Sequence, residues 1–481
     1  MKRQVVLAWE GKTEALAALQ TPPAPLVLEE EVKGARQEAD VLPGRVIRGD
    51  ALVVARALET QGLIGQIDLI YIDPPYASGL DYRHEERLDG PATGRVARTT
   101  AYRDRWADGP ASYLDMLMPR LAAMKPLLKA NGSMWIQVDW RSSHFVRSLC
   151  DEIFGRERFL NEIVWRRAPN LGRQARSGQF GRTLDTLIVY GAGPKARLVP
   201  PDQLVPVGAR AARRDPGTGR WYTLAPRGDY TDASVSRLET EGRVHRTSTG
   251  NVSIKYWLEE DAAGRPCRRQ PVDTLWLDIP PLRHVPPEER TGYPTQKPRA
   301  LLERVIAAGS PPGGLILDLF AGSGTTAAAA MRLGRSFIVG DESPVAIATM
   351  RSRILRDAPS SLRLERCGAR HATEHAAVEV RWLAGDRMEV TLSCRPETEP
   401  IAWAIDLAPA ASAHFRSDWH AVRGSGRRPA PLAMTAVLHR SASVRARIYF
   451  VDGKVAVVDA LLPTFATAAR AEPNFIVEAG T

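Results

Sequence analysis

Leu315-Ile316-Leu317-Asp318-Leu319 is an apolar run of the length of one buried strand, and it constrains the fold more than any other feature of the chain. It leads into Phe320-Ala321-Gly322-Ser323-Gly324-Thr325-Thr326 and then into an alanine-rich helical stretch, Ala327 to Leu333. A second short strand, Ser336 to Val339, precedes Asp341 and Glu342, and helical spacing resumes from Pro344 to Leu355. Strand, turn, helix, strand is the half-unit of a doubly wound α/β sheet. The glycines let a ligand approach the backbone, and the helix behind them presents free N–H groups. Asp341 ends a strand, where a carboxylate can accept both hydroxyls of a ribose. The spacing departs from the dinucleotide fingerprint, because Ala327 stands in the third glycine place, although alanine is sometimes accepted there.

A comparable edge occurs far upstream. Val46 to Asp50 reads as a short buried strand ending in a turn, Ala51 to Leu58 as a helix and Ile67 to Ile72 as another strand. That strand runs straight into Asp73-Pro74-Pro75-Tyr76. Two consecutive prolines can neither extend a central strand nor enter a helix interior, so the tetrapeptide is a loop at a strand's carboxyl end. Asp73 and the Pro74 carbonyl are hydrogen-bond acceptors held by stiff neighbours, and Tyr76 offers a ring for stacking.

Elsewhere the chain is less specific. Residues 1 to 42, with Thr21-Pro22-Pro23-Ala24-Pro25 and an acidic patch at Glu29 to Glu31, read as a surface arm. Arg83 to Pro110 is polar and aperiodic, the character of a lid or binding loop. Ser112 to Leu128 is helical, with breaks expected at Pro119 and Pro126, and Ser143 to Phe154 is helical again. From Trp165 to about Pro271 arginines outnumber acids, among them Arg166, Arg167, Arg173, Arg176, Arg182, Arg213 and Arg220. Strand-like Thr186 to Tyr190 stands out in an otherwise loop-rich, basic stretch. After Asp357 apolar and polar residues alternate, and Asp452-Gly453 between two such runs reads as a hairpin turn, so a separate all-β module is expected.

The net charge of +10 and pI of about 9.6 favour a polyanionic partner, although an arginine-rich coding bias would produce the same balance. Cys150, Cys267, Cys367 and Cys394 form no C-x-x-C pair, and neither a disulfide framework nor a metal site is expected. No apolar run approaches a membrane span, and Val5 to Trp9 is too short for a signal-peptide core, so a cytoplasmic protein is expected.

Taken together, Asp73-Pro74-Pro75-Tyr76 and the later glycine loop resemble the motifs of DNA amino-methyltransferases in the permuted order of the β group. Thr291 to Pro298 resembles that group's cofactor-flanking motif. Gly132 to Trp140, Asp151 to Gly155, Asn161 to Trp165 and the opening Leu7 to Lys12 resemble the modification subunits of type III restriction–modification systems and their solitary relatives. Phe415-Arg416-Ser417-Asp418-Trp419 is similar to C-terminal modules of some relatives.

The resemblance implies S-adenosylmethionine as cofactor and double-stranded DNA as substrate, with methyl transfer to an exocyclic amino group of a flipped base. Asp at the first catalytic position leans toward adenine N6, while cytosine N4 stays open. Catalytic roles fall on Asp73, Pro74, Pro75 and Tyr76. Cofactor contacts fall on Thr295, Gln296, Lys297, Asp318, Phe320, Ala321, Gly322, Ser323, Gly324, Thr325, Thr326 and Asp341. Asp50 reads equally as a cofactor contact and as the cap of the helix after it. A homodimer and a helicase–nuclease restriction subunit are partners the resemblance allows; no membrane is expected. The family more often shows Asn-Thr-Gly where Ala77-Ser78-Gly79 follows here. The expected domains are an arm (1–42), a catalytic half (43–164), a target-recognition insertion (165–285), a cofactor half (286–357) and a β-rich module (358–481).

Overall fold

The computed structural model describes residues 6–32, 44–87, 96–169, 178–208, 210–357, 361–367, 376–382, 387–394, 400–407, 415–417, 419–422, 433–439, 443–450, 455–461 and 474–478. Two compact units emerge: Met1–Leu198 together with Thr274–Thr481, and Val199–Asp273.

The first unit is built on an eleven-stranded sheet. Its strands are β1 (Val27–Val32), β2 (Gly44–Arg48), β3 (Ile67–Ile72), β4 (Leu128–Val138), β5 (Phe159–Arg166) and β6 (Leu184–Gly191). The later ones are β7 (Leu275–Trp276), β8 (Leu315–Asp318), β9 (Ser336–Asp341), β10 (Leu362–Arg366) and β11 (Phe415–Ser417). Across the sheet the order is β7-β5-β6-β4-β3-β8-β9-β2-β10-β1-β11. The six strands from β4 to β10 in that order are parallel. β6 is antiparallel to both β4 and β5, so β5 points the same way as β4.

Permutation shows directly in the pairing, since Leu69 and Ile70 of early β3 lie beside Ile316 and Leu317 of late β8. All six residues of β3 are buried, as expected for a parallel strand covered on both faces. Its one charge, Asp68, is ion-paired to Lys129 at 2.8 Å and accepts the Leu315 N–H at 2.9 Å. Helices α1 (Ala51–Thr60), α2 (Pro110–Met124) and α3 (Ser143–Phe154) share one core with the sheet, through Val54, Leu58, Leu117, Leu121, Val146 and Leu149. Across the later strands lie α4 (Arg299–Gly309), α5 (Thr325–Arg332) and α6 (Pro344–Asp357).

Several expectations are corrected. The helix does not break at Pro119, which lies buried inside α2. An interior proline costs roughly 3 kcal/mol, and burial of Leu114, Leu117 and Leu121 around it offsets that at about 2 kcal/mol each. Arg83 to Pro110 is no aperiodic loop, because Leu80–Arg87 and Val96–Asp104 pair as an antiparallel hairpin and Pro110 opens α2. The acidic patch is not on a surface arm: Glu29 to Glu31 belong to β1, paired with β10, and Glu30 is fully buried.

Residues 165–198 and 274–285 are part of the first unit, not of the insertion, because β5, β6 and β7 extend the central sheet. The charge divides the same way. Seven Lys and Arg face one Asp between 165 and 198, whereas between 199 and 273 twelve face ten acids. Of the arginines singled out there, Arg173 and Arg176 lie outside the described residues. The second unit holds a four-stranded and a three-stranded antiparallel sheet with the helix Asp232–Thr240.

The C-terminal part is β-rich, with two four-stranded sheets and a core around Val390, Trp403, Ile405 and Ile448. Ser443–Phe450 and Val455–Leu461 form an antiparallel pair; the turn expected at Asp452-Gly453, and Asp418, lie outside the described residues. It is not a separate body, since β10 and β11 enter the central sheet. Among the described residues no helix is long and apolar enough to cross a membrane.

Candidate active site

Parallel strands deliver their carboxyl ends to one edge, where ligands bind in open α/β sheets. β8 ends at Asp318 and β9 at Asp341, while β3 leads to Asp73 and β2 to Asp50. These side chains line one cavity of about 970 Å³, its mouth included, together with Thr295, Gln296, Lys297, Phe320, Ala321, Gly322, Ser323, Thr325 and Thr326. Pro75 lines it too, while Pro74, Tyr76 and Gly324 are outside the lining.

At the Asp73-Pro74-Pro75-Tyr76 loop, the Tyr76 hydroxyl donates to Asp73 Oδ1 at 2.5 Å, and Lys297 Nζ pairs with Asp73 Oδ2. The same ammonium lies 5.2 Å from the Tyr76 ring centre, so the ring expected to stack on a base also faces a cation. Burial, then Asp185 and Asp73, holds the Tyr76 phenol well above its usual range. Lys297, expected as a cofactor contact, is thus paired with Asp73.

Three further residues complete this end. Asp104, 1% exposed, accepts N–H bonds from Tyr76 (3.2 Å), Ala77 (2.9 Å) and Ser78 (2.8 Å), and from Trp106 Nε1 at 2.9 Å. Ala77 sits at φ 56°, a left-handed conformation that asparagine tolerates better than alanine. The family's asparagine suits this backbone, so the alanine in its place holds the turn at a conformational cost. Two residues before Asp104, Tyr102 stacks on Tyr82 and hydrogen-bonds Thr295 at 3.1 Å, which ties the hairpin to the Lys297 segment. Asp185 of β6 lies 3.5 Å from the Tyr76 hydroxyl and accepts from Gln137 at 3.1 Å. Burial pushes its carboxyl up to about 6.

At the glycine loop, Gly322 (φ 50°) would bring a Cβ to 3.2 Å from the Tyr293 ring, and one at Gly324 (φ 74°) would reach 2.8 Å from Met350 Cγ. Only glycine fits both the dihedrals and the space. Asp341 accepts from the Gly322 N–H at 3.0 Å and the Ser343 N–H at 2.9 Å, and burial pushes it up to about 6. Asp318 accepts from Thr326 at 2.5 Å and from the Phe320 N–H at 2.9 Å, and burial pushes it up to about 7. Buried Arg353 of α6 donates to Thr325 Oγ1 at 2.9 Å and so props the loop from behind. Gln296 accepts from the Thr291 N–H and hydroxyl, both at 2.8 Å, and donates to the Glu289 carbonyl at 2.7 Å. Asp50 caps α1 through the Leu52 N–H at 2.8 Å and pairs with Arg120, and its side chain also lines the cavity.

S-adenosylmethionine can be tested against these residues. It needs a close backbone approach, a carboxylate for ribose hydroxyls and room beside the acceptor loop. Gly322 supplies the first, and Asp341 with its neighbour Glu342 in the lining supplies the second. Asp73 in the same wall meets the third. The residues fit.

Comparison with known proteins agrees with this geometry. The profile of the N6_N4_Mtase family, described as DNA methylase, matches residues 67–350. The type II methyltransferase M.EcaI of Enterobacter cloacae is 28% identical over 66% of this chain and 71% of its own length. The StyLTI Mod subunit of a type III restriction-modification enzyme from Salmonella typhimurium is 26% identical over 60% of this chain, which spans about half (49%) of that protein. The DNA adenine methyltransferase YhdJ of Escherichia coli is 27% identical over 61% of this chain and 76% of its own. A solved structure of an M1.HpyAVI–SAM complex superposes with a TM-score of 0.37 at 17% identity, covering 64% of this chain and 98% of that one. Matched by the family profile over more than half its length, the chain belongs to the DNA methylase family of S-adenosylmethionine-dependent methyltransferases.

Proposed function

We propose that the chain methylates the N6 amino group of adenine at specific sites in duplex DNA, acting on a base turned out of the helix. One observation carries this reading: Asp73 and the glycine loop, 245 residues apart by Asp318, share the wall of a single cavity. An exocyclic nitrogen is a poor nucleophile because its lone pair is delocalised into the ring. Each oxygen of Asp73 keeps a lone pair beyond the Tyr76 and Lys297 bonds. Asp73 and the Pro74 carbonyl accept the two amino N–H bonds and localise that lone pair. S-adenosylmethionine, when bound, supplies a methyl group made electrophilic by its sulfonium. The acceptors are fixed before the base arrives, so little reorganisation is left for the reaction. A target atom inside a duplex is unreachable, which requires the base to leave the stack. The lean to adenine rests on Asp73 and on the YhdJ relative. The compact unit Val199–Asp273 is the reader of sequence in this proposal.

Single-molecule sequencing of DNA from cells expressing the chain, with mass spectrometry of its nucleosides, is the test. N6-methyladenine at one motif is expected, and Asp73→Ala should lower it at least 100-fold. N4-methylcytosine would replace the adenine assignment, and an unchanged Asp73→Ala would end the catalytic one. Relatives named as Mod subunits favour a second role, delivery of a restriction partner, which co-purification from the native host would reveal.

A further inference from the structure

Beside the catalytic loop lies a patch that the site does not use. β5 runs parallel to β4, so its end at Arg166 and the start of β6 at Leu184 lie at the same carboxyl edge as Asp73. Phe180, four residues before β6, is 97% exposed. Trp140, just after β4, is 44% exposed. Arg182 lies 3.7 Å from the centre of the Trp140 ring and Arg141 4.8 Å from it. Exposed Arg166 stands at the end of β5. The stretch 165–198 also carries the seven-to-one excess of basic over acidic residues.

Position narrows the use of this patch. Phe180 precedes Asp185 by five residues, and Asp185 lies 3.5 Å from the Tyr76 hydroxyl. Five residues reach at most about 17 Å, less than the width of a duplex. A polyanion with stacked aromatic faces matches arginines interleaved with exposed rings. A base that leaves the stack also leaves a gap, and apolar side chains commonly fill such gaps.

We propose that Phe180 and Arg182, with Trp140, form a DNA-engaging surface of the first unit, and that Phe180 enters the stack where the target base departs. The proposal rests on the DNA-methylation reading above and deepens it. The arginines hold the backbone, Phe180 stabilises the opened duplex, and the flipped base is left to the Asp73 cavity.

The test uses the full chain and two duplexes carrying its recognition motif. In one the target base is paired; in the other it faces an abasic site and is already unpaired. Single-turnover methylation by Phe180→Ala is expected to fall at least 10-fold on the paired duplex and less than 3-fold on the abasic one. Phe180→Trp should restore the paired rate. Because the side chain is almost wholly exposed, unchanged thermal unfolding of Phe180→Ala is expected. Equal loss on both duplexes, or no loss on the paired one, overturns the proposal while wild-type activity upholds the function. A wild type that methylates neither duplex overturns both.

Discussion

Asp73 is legible in the sequence because its chemistry is written beside it, in two prolines and a tyrosine. Asp104 is not, although it does as much for the loop. Nothing in a polar stretch marks one aspartate as the acceptor of three successive backbone N–H groups. Only the hairpin, which returns the chain to its own start, brings Asp104 under residues 76–78. A carboxylate presents four lone pairs to these donors, whereas an amide must turn an NH2 toward some of them. Asp104→Asn should therefore loosen the loop without touching the cofactor wall. The expected result is a methyl-transfer rate lowered about 10–100-fold, of the order of 1.4–2.8 kcal/mol, with S-adenosylmethionine affinity within about 3-fold of wild type. Single-turnover kinetics and calorimetry measure the two separately. Loss of cofactor affinity in step with rate would show that Asp104 merely supports the fold.

At the scale of elements, long apolar strands and the two motif loops were readable, since parallel strands announce themselves by continuous burial. β1 was not. Its acids suggest solvent, yet Glu30 is fully buried against Arg351 of α6, with Nη2 and Nε at 2.6 and 2.9 Å, and accepts from Tyr449 of the C-terminal part. The partner that makes this burial tolerable lies 321 residues away. Burial pushes the Glu30 carboxyl up, but Arg351, Arg447 and Tyr449 together hold it below its ordinary value. An acid lowered in the folded state stabilises fully above its unfolded value, about 4.3, and that stabilisation is lost as pH falls through the lower folded value. Glu30→Gln leaves Arg351 buried without a counter-charge, an expected loss of roughly 3–5 kcal/mol at pH 7. Urea unfolding at pH 7 and pH 3.5 should show this gap shrinking in acid. A gap of constant size would assign the effect to packing rather than charge.

At the scale of the whole molecule, the permuted order was legible but the boundary between the two units was not. Composition merged 165–198 with 199–273 because arginines run through both. In the second unit they are largely answered by acids, as in Arg246 with Glu239 at 2.8 Å and Arg269 with Glu259 at 2.6 Å. A unit with balanced charge is poorly suited to non-specific attraction, and better suited to contributing shape and directed hydrogen bonds. Its ends invite a clean excision. Asp202 pairs with Pro271 across an antiparallel ladder, and the Val272 N–H donates to the Pro201 carbonyl at 3.0 Å. Residues 201 and 272 are therefore neighbours, and a two-residue Asn-Gly turn can replace 202–271 with little loop-closure cost. If the units divide labour as proposed, the excised chain should keep its thermal unfolding midpoint within a few degrees and its S-adenosylmethionine affinity within about 3-fold. It should also keep salt-sensitive DNA binding, because the basic stretch remains, while methylation at the motif falls below detection. Gel shifts at two salt concentrations, beside sequencing of the methylated DNA, separate the outcomes. Motif-specific methylation surviving the excision would move sequence reading into the first unit. Loss of all DNA binding would place the grip in the second.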